Sequence, residues 1–146
     1  MSSLHYQFIE ELRVRVEALV PAWATGGVQC DDNYRVEREM RPACRIADAS
    51  VLFLRAKSTC EWDQASRFKI VILANTRLDR DARWVAICKA IKSGPETPWA
   101  TANVHTVRIT EVVFAQESVD ATCYIATLHG EVQCLPVVAY APDTKK

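Results

Sequence analysis

The stretch from Asp79 to Gly94 constrains this chain more than any other. Trp84, Ile87, Cys88 and Ile91 recur there at helical spacing, acidic residues stand at its start, and Lys89 and Lys92 stand near its end. Acids at a helix N-terminus and bases at its C-terminus both complement the helix dipole. Gly94 tolerates the left-handed conformation that closes many helices, and Pro95 forbids continuation. A helix with one apolar stripe must bury it against another element.

A second stripe, Leu4, Phe8, Ile9, Leu12, Val16 and Leu19, predicts a helix over 4–20 that Pro21 stops. Glu11 with Arg15 and Arg13 with Glu17 sit four apart, as on a solvated face with local ion pairs. Residues 22–41, with Gly26, Gly27, Asp31, Asp32, Asn33 and a mixed-charge run, read as a long loop anchored by Trp23. Loops of that length are uncommon in compact domains unless they are functional, so it is a candidate contact surface.

Runs at 43–48, 51–56 and 68–74 read as strands, the polar 57–67 as a hairpin loop, and 104–114 and 122–132 as a final antiparallel pair. In 104–114, Val107, Ile109 and Val113 are expected on one face and Thr106, Arg108 and Thr110 on the other. One dry face and one wet face suit a mainly antiparallel sheet with two helices packed on one side, which needs no parallel crossover. The expected class is therefore α+β in the order α-β-β-α-β-β. At 146 residues and 49% apolar content the chain suits one domain, placed at 1–134, with an arm at 135–146.

The 18 basic and 18 acidic side chains cancel, which argues against a strong field that would gather nucleic acid or an anionic membrane. No apolar run approaches the ~20 residues of a membrane span, and the start lacks the pattern of a secretory signal, so a cytoplasmic setting is expected. Six cysteines without a C-x-x-C pair read as thiols.

No catalytic, cofactor or metal constellation can be written from the residues. Four glycines leave no room for a phosphate-cradling loop, and His5, His105 and His129 lack helical metal-ligand spacing. Cys123 with His105 is conceivable as a nucleophile and base, but neither stands at a helix N-terminus or strained turn that stabilises a thiolate. Asp79 with Asp81 suit the start of a helix, and Asp31 with Asp32 suit a turn, better than they suit a cation. Trp62 and Trp99 lie in polar or proline-rich stretches, where an indole serves either as an interface anchor or as a lid over its own core. Leu135, Val137, Val138 and Tyr140 are apolar but interrupted by Pro136 and Pro142, as in an arm that docks on another subunit or a short edge strand. These six residues form the expected interface.

The helix Leu4 to Val20, the strand opened by Arg41 and Pro42, the apolar strand Phe68 to Ala74, and the turn from Asn75 to Arg83 into a helix ending at Ile91 follow one another in this order. With two long final strands, this pattern resembles the tail terminator proteins of long-tailed bacteriophages. The resemblance implies a virion protein assembled in the host cytoplasm, a homohexameric ring at the head-proximal end of the tail that ends tube growth. Its implied partners are the tail-tube protein and a neck connector, with DNA passing unbound and no cofactor. Another neck or head-completion protein is the nearest alternative. A small cytoplasmic enzyme or ligand-binding domain, with a site built from distant residues, is an alternative of another class.

Overall fold

The computed structural model describes residues 4–19, 22–30, 36–56, 62–91, 99, 107–116 and 122–136, with the backbone alone at 4, 51–56, 62–64 and 133–136. The elements are α1 (Leu4–Glu17), β1 (Val28–Gln29), a 3-10 turn (Arg38–Met40), β2 (Ala43–Ala56), β3 (Trp62–Ala74), α2 (Arg77–Ile91), β4 (Val107–Gln116) and β5 (Tyr124–Pro136). The sheet order is β1-β2-β3-β5-β4. All pairs are antiparallel except the two-residue β1–β2 pair. This is the α+β class, a mainly antiparallel sheet with both helices on one face.

The helix face of the sheet is built in rows. Ile46, Ile70, Leu128 and Val112 stand abreast, as do Cys44, Ile72, Ala126 and Phe114. Phe8, Ile9, Leu12 and Val16 from α1, with Ile87 and Ile91 from α2, close over them. Phe8 lies 5.4 Å from the Phe68 ring and 5.0 Å from Trp99. Trp99 is thus packed into the core of the protomer. The Phe68 ring occupies the space above Gly130, where an added Cβ meets Phe68 Cζ at 2.4 Å. Only glycine admits that ring.

Each helix has an identifiable start or finish. Thr76 Oγ1 accepts a hydrogen bond from the Asp79 backbone N–H at 3.1 Å, the N-cap of α2, which therefore opens at Arg77, two residues before the first acidic residue. The last turn of α1 leaves carbonyls without helical partners. Trp23 Nε1 donates to Val16 O at 2.8 Å, beside the Leu19 N–H at 3.3 Å, where the helix stops at Glu17, three residues short of Val20.

Several expectations need correction. The predicted loop 22–41 contains β1, tied to the sheet through Val28 and Gln29 opposite Cys44 and Arg45, so one parallel pair exists after all. Gly27, at φ +58°, lets the chain turn back there, with its N–H donating to Ala24 O at 2.8 Å. The runs 43–48 and 51–56, by contrast, form one strand, as the order α-β-β-α-β-β counts them, with register shifts near Ala49 and Leu54. Strand β3 begins at Trp62, not Phe68, because its polar first half is held by backbone pairing to β2 and β5 on either side. In β4 a register shift between Ile109 and Glu111 reverses the alternation, so Val112 joins the core and Val113 is 42% exposed. Both expected α1 ion pairs form, but Glu11 and Arg15 are only 18% and 17% exposed, at 3.4 Å, and face α2 rather than solvent.

Candidate assembly surface

The sheet has two unequal edges. On one side β1 covers β2 only at Cys44 and Arg45. On the other, β4 is the outermost of the described strands along all ten of its residues. An uncovered strand offers a row of backbone N–H and C=O groups to another chain, and folded proteins usually guard such an edge with charge. Arg108 and Glu111 do so in the first half of β4. Val112 to Gln116 carry no charge at all, and Val113, Phe114 and Ala115 are exposed there.

Beside this uncharged end, α2 and β4 enclose an open cleft of about 490 Å³. Its floor is aromatic: Trp84 and Phe114 lie 5.9 Å apart at 60°, and Tyr124 stands opposite Gln116 at the start of β5. The Arg80 guanidinium lies 4.4 Å above the Phe114 ring. Asp81 Oδ1 fixes this arrangement, accepting from Arg80 Nε at 2.9 Å and from Trp84 Nε1 at 3.2 Å. With its charge paired and its plane stacked, Arg80 is only 7% exposed. The cleft is therefore preorganised, half apolar and rimmed by the exposed Arg77.

Opposite the helices the sheet has no covering layer among the described elements. Glu131, 7% exposed, accepts from Arg108 at 2.8 Å and lies 3.6 Å from Arg67. Lys69, His129 and Glu111 form the next row across β3, β5 and β4. Opposite charges alternate on this face.

Among the described residues the chemistry-bearing side chains do not converge. Cys44 and Cys123 are buried, Cys88 half-buried and Cys30 exposed, all as free thiols. Burial pushes the Cys44 thiol above its ordinary range, the reverse of what a nucleophile needs. His5 Nε2 meets Asp48 Oδ1 at 2.6 Å, joining α1 to β2 far from His129 in sequence. His105 and Cys60 lie outside the described residues. Among the described residues no three His, Cys, Asp or Glu side chains are grouped to hold a metal ion, and no helix is long and apolar enough to cross a membrane.

Of the expected interface residues, Trp99 is internal, while Trp62 opens β3 opposite Ala56 and Leu135 lies in β5 opposite Gln64, both with side chains outside the description. Val137, Val138 and Tyr140 lie outside the described residues. The cleft residues Arg80, Trp84 and Phe114 were not anticipated, although the uncharged end of β4 was a signal in the sequence.

No family model and no curated protein matches the chain. Among solved structures, a chain in the virion of a native gene transfer agent particle shares the fold. Its TM-score is 0.52, the match covers 88% of this chain and 90% of that one, and the sequences are 11% identical. A second solved chain, 14% identical, aligns over 88% of this chain and 94% of its own with a TM-score of 0.42.

Proposed function

We propose that the protein is a structural component of a phage-type virion, a tail terminator that forms a six-membered ring at the head-proximal end of the tail. In that place it ends growth of the tail tube and joins the tail to the neck, and it performs no chemistry. The observation that carries this reading is the fold shared with a gene transfer agent virion chain over nearly the whole length of both. Two features of the protomer agree with it. The uncharged end of β4 and the exposed Val113 and Phe114 suit a surface covered in an assembly. The open sheet face sets Glu131 between Arg108 and Arg67, so that part of its positive charge is answered within the face and less of it is left to hold phosphate.

Particles assembled without the protein test the reading. A terminator's absence leaves tail tubes of uncontrolled length that do not join heads. Tubes of normal length that fail only in joining would instead make the protein a neck connector, and particles of normal form and infectivity would refute a virion role.

A further inference from the structure

The cleft beside β4 and the chain beyond Pro136 fit one another, but not within one molecule. Strand β5 is 13 residues long, and its two ends lie roughly 40 Å apart at ~3.3 Å per residue. The cleft sits at the Tyr124 end, beside Gln116, and the chain leaves from the other. Val137 to Tyr140, the apolar residues that follow, span at most about 14 Å. Even the full stretch to Lys146 spans at most about 35 Å when straight, and it must first reverse direction. A protomer cannot fill its own cleft with this segment.

We infer that the cleft between α2 and β4 receives residues 137–143 of a second copy of the chain, added as a strand to the free edge of β4. The residue chemistry sets the fit. Val137 to Ala141 contain no charge and no proline, so they can pair along the equally uncharged Val112 to Gln116, and Pro142 ends the pairing because it has no N–H to donate. Tyr140 offers a ring to the Trp84 and Phe114 pair, while Asp143 follows three residues later and meets the cationic rim at Arg77. Donor segment and receiving cleft are different surfaces, so the contact is head-to-tail and repeats from copy to copy until a ring closes. The assignment rests on the ring reading above and adds which surfaces make the ring.

A photocrosslinker decides it, with p-benzoylphenylalanine in place of Tyr140 in the full chain, irradiated after sedimentation has established the oligomer. The expected product joins two chains, with the attachment mapped to Trp84 or to the 113–124 segment. Ala115→Glu places a bulky charge in the apolar contact, competes with Asp143 for Arg77 and leaves the Arg80–Phe114 stack in place, and should lower the interchain yield at least about tenfold. Phe114→Tyr, which keeps the ring, should retain it. Crosslinks within one chain, or to another surface of a neighbour in an intact ring, would overturn the cleft assignment and leave the ring standing. A monomer with no interchain product would overturn both.

Discussion

Arg83 shows how much of this protein's order is settled side chain by side chain. It is 5% exposed, yet its charge is fully answered. Its Nε meets Asp79 Oδ1 at 3.0 Å, a terminal nitrogen donates to Ala22 O at 3.1 Å, and its plane lies 4.5 Å from the Trp23 ring. Trp23 in turn caps α1, so one guanidinium connects α2, the chain after α1 and the end of α1. Arg83→Ala should therefore cost about 1.5–3 kcal/mol, the range for hydrogen bonds to charged groups, and Arg83→Lys should recover only part because a point charge cannot replace the planar fork. Chemical denaturation of the three proteins measures both. Gly130→Ala is a test of the opposite kind, since its methyl group must displace the buried Phe68 ring; about 1–3 kcal/mol should be lost. Neither residue was legible as important in the sequence. An arginine buried by stacking has the same letter as a solvated one, and the ring over Gly130 arrives from β3, more than sixty residues earlier in the chain.

At the scale of elements, what the sequence revealed depended on whether the cause was local. Helix α2 was legible because its periodic stripe, acidic start and terminal glycine all lie within one segment. Ile87 and Ile91, 0% and 1% exposed, carry that stripe into the core. Ile87→Ala should cost about 2–5 kcal/mol, and Thr76→Ala, which removes the cap, about 0.5–2 kcal/mol; equilibrium unfolding separates the two. Strand β1 was illegible because two residues become a strand only when Cys44 and Arg45 lie alongside. The polar half of β3 was illegible for a related reason, its order coming from neighbours on both sides. The reversal at Thr110 had no local mark: Thr110 Oγ1 donates to His129 O at 3.2 Å, an interaction that exists only once β5 is paired. The same reversal turned Val113 and Phe114 into half-exposed residues on opposite faces of the edge strand, so the candidate assembly surface was hidden with it.

For the whole molecule, the proposed ring role makes the contact between copies, rather than the isolated protomer, the thing to test. Cys30, Cys44, Cys88 and Cys123 are free thiols, and a reducing agent should leave the thermal midpoint unchanged; a large drop would reveal a disulfide and a different compartment. Removing residues 137–146 leaves β5 whole to Pro136. The truncated protomer should keep its thermal midpoint, while its assembly weakens relative to the full chain at equal concentration. The central claim, that this chain is a ring-forming virion protein, is tested most directly by native mass spectrometry of the full-length protein across a range of concentrations. A ring-forming chain gives a closed six-chain species with no larger members, because a ring leaves no free cleft or free arm. A monomer at every concentration, or an open-ended ladder of oligomers, would contradict it.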